Sequence, residues 1–261
     1  MSESVYDYPH LYDILFSDIC NSEIQFLAAV FKRYAAKKVR TLIEPACGSG
    51  RLLWRLARRG FTVSGLDLNP KAVAYCNRKL RKHQLPESAV VGDMTAFSLA
   101  DFKRKKPFDA AFNLVSSFLH LTTENKARRH LRCVADVLAP NGLYILGLHL
   151  KPAGQADCDK ESWSVRHGTM SIQSHLASLS WNKQKRLETI EFQINAKSPK
   201  KSYNIVDTFS MRTYSAAQFY ALLKKAGCFQ ILATYSFDYN IEQPIQVNNK
   251  TEDVLFILKK N

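Results

Sequence analysis

Two glycines, Gly48 and Gly50, stand in the run Glu44-Pro45-Ala46-Cys47-Gly48-Ser49-Gly50-Arg51. Without Cβ atoms, such residues let the backbone turn sharply and touch a ligand. About twenty residues past Gly48 comes Asp67, at the end of the apolar run Val63-Ser64-Gly65-Leu66. A carboxylate at that spacing suits the paired hydroxyls of a ribose. Further on, Asp93-Met94 follows Ala89-Val90-Val91, and Asn113 ends Phe108-Asp109-Ala110-Ala111-Phe112. His120 and His149 come just after or at the end of apolar segments, where an imidazole can take up a proton near neutral pH.

The elements that must position these residues follow from the pattern. Val39 to Ile43 reads as a buried parallel strand, and Leu52, Leu53, Leu56 and Ala57 recur at helical spacing before Gly60. From 39 to 150 strands alternate with helices, which predicts a doubly wound, mostly parallel sheet of seven strands. Ligands of such sheets bind at the carboxyl edge, where Gly48, Asp67, Asp93, Asn113 and His149 are expected to converge. Two features of the loop select the ligand. Leu53 occupies the place of the third glycine that a pyrophosphate fingerprint requires. Glu44 puts negative charge where a dinucleotide would put its phosphates. A positively charged nucleoside fits better, and S-adenosyl-L-methionine, with a sulfonium and an ammonium group, is one.

On these residues the chain resembles the Rossmann-like, class I S-adenosylmethionine-dependent methyltransferases. The acidic, glycine-containing first motif of that family is similar to Glu44 to Gly50, with Ala46 standing where its first glycine is usual. The resemblance implies that Glu44, Ala46, Gly48, Gly50, Asp67 and Leu68 hold the cofactor, that Asp93 and Met94 take the adenine, and that Asn113 lies near the methyl group. The tyrosine-rich opening, with Tyr8 and Tyr12 four apart, looks like the segment that covers the cofactor in small-molecule members, which adds Tyr12 to the set. Packing of these rings on the sheet alone is the competing reading. The resemblance spans most of 39–150 and 212–258.

The remaining organisation separates into a helical lid over 1–38, a methyltransferase domain over 39–150 and 213–261, and an antiparallel β insert over 151–212 on the acceptor side. Residues 151–162 read as polar and irregular. Helix 22–36 is expected to present Ile24, Leu27, Ala28 and Phe31 on one face, and Pro140-Asn141-Gly142 to turn into a strand from Leu143 to Leu150. The function implied is in-line methyl transfer to the N or O of a small-molecule acceptor, with His149 and His120 as candidate bases. A lone histidine is more often structural, and that is the competing reading for both.

Net charge is +14 over 261 residues. Lys and Arg number 22 in residues 1–140 and 15 in 141–261, so no tail carries the excess. An RNA methyltransferase using this basic surface, or a cofactor-binding protein without catalysis, stays as an alternative. The N-P-P-Y and Pro-Cys motifs of nucleic-acid-methylating enzymes are absent after Asn113. A nicotinamide-dependent oxidoreductase is disfavoured by Leu53 and Glu44. Six cysteines form no C-x-x-C pair and no metal pattern, as expected of reduced thiols in a cytoplasmic protein. No apolar run approaches the roughly 20 residues of a membrane span.

Overall fold

A computed structural model describes residues 4–152 and 160–261. The first three residues, Cys158 and most of the polar run expected over 151–162 lie outside the described residues.

One sheet is built from β1 (Thr41–Pro45), β2 (Thr62–Asp67), β3 (Ala89–Val91), β4 (Phe108–Asn113), β5 (Leu138–His149), β10 (Phe229–Tyr235) and β11 (Asp253–Lys260). Their order is β10-β11-β5-β4-β1-β2-β3. The strands from β1 to β5 pair in parallel, while β11 runs antiparallel to both β5 and β10. Leu143 to Leu146 and Leu148 are buried without interruption, as a strand covered on both faces requires. Helices α5 (Glu124–Val137) and α6 (Ala216–Ala226) cover one face, through Leu131, Val134 and Phe219. Helices α2 (Cys20–Tyr34), α3 (Leu53–Ala57) and α4 (Pro70–Lys82) cover the other, through Phe26, Leu27, Leu53 and Cys76.

Local chemistry sets the helix ends. Asn69 caps α4 by accepting from the Lys71 amide at 2.8 Å, and Pro70 follows in the first turn. Ser215 and Gln218 form a capping box on α6, which Gly227 ends at φ +68°.

Three boundaries differ from the sequence expectation. Strand β1 begins at Thr41, because the Asp109 carboxylate takes the amides of Arg40 and Thr41 and holds 39–40 as a loop. Helix α2 starts at Cys20 and exposes Ala28, burying Phe26 and Val30 beside Ile24, Leu27 and Phe31. Pro140-Asn141-Gly142 is an irregularity inside β5, with Asn141 at φ +60°, and not a turn ahead of it.

The second sheet holds β6 (Lys160–His167), β7 (Met170–Asn182), β8 (Leu187–Lys197) and β9 (Ser202–Arg212), all antiparallel and in chain order. Ile172, Phe192, Ile194 and Ile205 pack against Val5 and against Leu11 and Leu15 of α1 (Pro9–Leu15). The N-terminal segment ties the two sheets together. Asp207 of β9 accepts from Ser4 and Val5, while Asp7 pairs with Lys71 at the start of α4. No single helix among the described residues is long and apolar enough to cross a membrane.

Candidate active site

A cavity of about 1210 Å³ opens where the carboxyl edge of the first sheet faces the second. That exceeds the usual few hundred to 1,000 Å³ of a single-ligand pocket and leaves room for a cofactor and an acceptor together. Glu44, Ala46, Gly48, Asp67, Leu68, Asp93, Met94, Asn113, Tyr12, His120 and His149 all line it.

Gly50 does not. It is buried at φ +66°, and a Cβ there would lie 2.2 Å from the Cys76 Sγ. Its missing side chain lets the loop pack on α4, so its place in the site is indirect. Ala46 holds φ +56°, a left-handed conformation that glycine adopts without cost.

Asp67, at the end of β2, accepts from the Gly48 amide at 2.7 Å and the Asn69 amide at 2.9 Å. Burial raises its pKa, and these two N–H groups oppose the rise. The carboxylate therefore fixes the loop and offers its remaining lone pairs to the cavity. Leu68, the next residue, is 73% exposed on the cavity wall. Asp93 accepts from the Thr95 amide at 2.7 Å, and the Met94 carbonyl is held by His130 Nδ1 at 2.9 Å.

Glu44 is the most informative group. It is only 7% exposed and lines the cavity, yet its Oε2 has no hydrogen-bond partner among the described residues. Burial pushes its pKa well above the usual carboxylate range, and Arg51 counteracts that only in part. Arg51 is itself engaged by Glu23 of α2, Nη2 to Oε1 at 2.6 Å. On the neighbouring strand Asn113 donates to the Pro45 carbonyl at 2.8 Å, leaving its own Oδ1 buried and unpaired among the described residues. Two buried acceptors on one wall fit a ligand bearing positive charge and N–H groups. The residues present therefore suit S-adenosylmethionine.

The candidate bases sit differently. His120 is half-buried, its Nε2 is 3.0 Å from the Tyr6 hydroxyl, and its ring lies against Phe209 at 5.2 Å. Burial lowers its pKa, so it is neutral near pH 7. His149 is half-exposed at the rim, with Nδ1 bonded to Asp253 and its ring against Phe237.

Sequence reasoning met Tyr6 only as part of the tyrosine-rich opening, and it passed over the Glu23–Arg51 pair and His130. Glu23 carried a signal, an acid on the apolar face of α2 beside Ile24, Phe26 and Leu27. His130 carried none, since its partners Met94 and Tyr144 lie on other elements. Among the described residues no three His, Cys, Asp or Glu side chains gather as metal ligands.

Residues 43–142 match the family model described as a methyltransferase domain. The fold is that of the Rossmann-like, class I S-adenosylmethionine-dependent methyltransferases. Among curated relatives, YqeM of Bacillus subtilis, provisionally named a methyltransferase, is 30% identical over 108 residues, 41% of this chain and 42% of its own length. The dTDP-3-amino-3,6-dideoxy-alpha-D-glucopyranose N,N-dimethyltransferase of Streptomyces fradiae is 31% identical over 120 residues, 46% of this chain and 43% of its own. The chain thus spans less than half the length of these relatives. Solved structures match over the whole chain. A S-adenosylmethionine-dependent methyltransferase from Clostridium acetobutylicum gives a TM-score of 0.75 at 15% identity, with 97% of each chain covered. The cofactor-bound CalS10, an amino pentose methyltransferase from Micromonospora echinaspora, gives 0.71 at 19%, covering 100% of this chain and 98% of that one.

Proposed function

We propose that the protein transfers a methyl group from S-adenosylmethionine to a nitrogen of a small molecule held between the two sheets. The observation that carries this reading is Glu44, a buried carboxylate whose Oε2 has no hydrogen-bond partner among the described residues, on a wall that also holds Asp67, Asp93 and Asn113. A cationic nucleoside supplies the missing partner, and an anionic dinucleotide would not. A nitrogen acceptor is supported by the relatives, of which two act on amino sugars by name.

The cofactor supplies an electrophilic methyl on a sulfonium, which leaves readily. The chain then has to align donor and acceptor and exclude water, both proximity effects. The N-terminal segment serves as the lid, with Tyr6 and Tyr12 on the cavity wall. An amine must present its lone pair, so an acceptor arriving as an ammonium gives up a proton first. Neutral His120, joined to the Tyr6 hydroxyl, is placed to take it. His149, oriented through Nδ1 by Asp253, is the second candidate, at the rim where the proton can pass to water.

Calorimetry with S-adenosylhomocysteine tests the cofactor assignment. Wild-type protein should bind it, and Asp67→Ala should lose about 1.5–3 kcal/mol of affinity, the worth of charge-assisted bonds to the ribose. Unchanged affinity in Asp67→Ala would sink the ribose assignment, and no binding to wild type would sink the function.

A further inference from the structure

The acceptor half of the cavity is one patterned sheet face. Alternation along the strands brings Glu161 and Trp163 of β6, Leu176 and Ser178 of β7, Glu188, Ile190 and Phe192 of β8, and Phe209 and Met211 of β9 to the same side. Opposite them stand Tyr6, Tyr12 and Phe16 of the lid. Six rings make a continuous wall. Tyr12 meets Phe16 at 4.6 Å, Phe16 meets Trp163 at 6.0 Å, Trp163 stacks on Phe192 at 5.9 Å, and Tyr6 bridges Tyr12 and Phe209 at 5.8 Å each.

The charge on the cavity wall opposes that of the chain. The protein carries +14 overall, but eight Asp or Glu and only five Lys or Arg line this cavity. Four of the five cations are already engaged. Arg51 is paired with Glu23, and Lys71 with Asp7 at 3.0 Å. Lys151 is bound to Glu188 at 2.9 Å, with both side chains about nine-tenths buried, and its ammonium sits 5.2 Å over the Trp181 ring. Arg212 donates to the carbonyls of Thr122 and Lys185, and its buried Nε has no partner among the described residues. Lys126, exposed on the first turn of α5, is left at the mouth. Residues 153–159, Ala-Gly-Gln-Ala-Asp-Cys-Asp, add no Lys or Arg. Binding a diphosphate takes a set of uncommitted Arg and Lys side chains, and one exposed lysine does not make such a clamp.

The geometry points to a lipophilic amine bearing no phosphate as the acceptor, its apolar body against Trp163, Phe192 and Phe209 and its nitrogen toward the Tyr6–His120 pair. This rests on the methyl-transfer reading above and narrows it, separating this chain from relatives named for dTDP-linked sugars. Aromatic faces within about 6 Å of an ammonium attract it, so the same wall favours the protonated amine on entry. Glu161 adds charge of the matching sign, while that of Glu188 is already taken by Lys151.

The test is calorimetric titration of the protein saturated with S-adenosylhomocysteine. One set of probes is tryptamine, phenethylamine and cyclohexylethylamine, and the other is dTDP and inorganic pyrophosphate. At least one amine is expected to bind, about tenfold or more weaker in Phe209→Ala and in Trp163→Leu, as for truncation of anchoring rings. Two variants are used because either may be destabilised, and retained S-adenosylhomocysteine affinity certifies each fold. The phosphate probes are expected to bind at least about tenfold more weakly than that amine, with little dependence on salt. The proposal is overturned if no amine binds, if both folded variants bind it as well as wild type, or if dTDP binds more tightly with steep salt dependence. Failure of wild type to bind S-adenosylhomocysteine would instead overturn the methyl-transfer reading itself.

Discussion

Glu44→Gln changes charge with almost no change of shape, and the structure gives its two consequences opposite signs. Without ligand the carboxylate is 7% exposed and its buried Oε2 has no partner among the described residues, so ionising it forfeits hydration that Arg51 replaces only in part. A neutral amide removes that penalty, and thermal stability should hold or rise. With a cationic ligand present the same carboxylate gains its partner. A charge-assisted bond is worth about 1.5–3 kcal/mol, so S-adenosylhomocysteine should bind roughly 10- to 150-fold more weakly to the variant. A pH signature accompanies this. Burial raises the Glu44 pKa, so an ammonium ligand must drive the proton off, and wild-type affinity should fall as pH is lowered through that raised pKa. The Gln variant should lack that component of the slope. Calorimetry in two buffers of different ionisation enthalpy reads affinity and released protons together. Affinity within about twofold of wild type with the same pH slope, in a variant that has lost stability, would refute the reasoning.

Ala46→Gly should stabilise the protein by about 0.5–1 kcal/mol, since relief of a left-handed Ala exceeds the added backbone entropy; denaturant titration decides it. His130 is buried, bonded to Met94 and Tyr144, and held neutral with a pKa near 4. Its unfolded pKa is near 6.5, so the unfolded chain binds the extra proton in between and stability falls as pH drops. From pH 7 to 5 the loss from this group should be about 2 kcal/mol, and it should vanish from the slope of His130→Phe. For base catalysis, His120→Gln should cut methyl transfer by roughly 10²-fold with S-adenosylhomocysteine affinity retained, and His149→Gln serves as the parallel test of the rim histidine. A loss under about tenfold in either variant assigns that histidine to structure.

The carboxyl edge of the first sheet was legible in the sequence because its determinants are local. Continuous apolar runs must be parallel strands covered on both faces, and right-handed crossovers bring their carboxyl ends to one edge. Glu44, Asp67, Asp93 and Asn113 each end or follow such a run, so they share a wall whatever the rest of the chain does. Asn69, Pro70 and Ser215 set their helices through bonds within three residues. The wall facing the second sheet depended on tertiary structure. Tyr6 and His120 are 114 residues apart and meet because Asp207, on a strand of the second sheet, holds the N-terminal segment across the cavity. The pairing of Lys151 with Glu188 and the burial of Arg51 against Glu23 likewise join distant elements, and they decide which charges remain available. Even Gly50, correctly placed in the loop, has its reason in Cys76 of α4. Local pattern fixes which face of a strand or helix turns inward. Which distant side chain it then meets is set only when the two sheets and the N-terminal segment pack together.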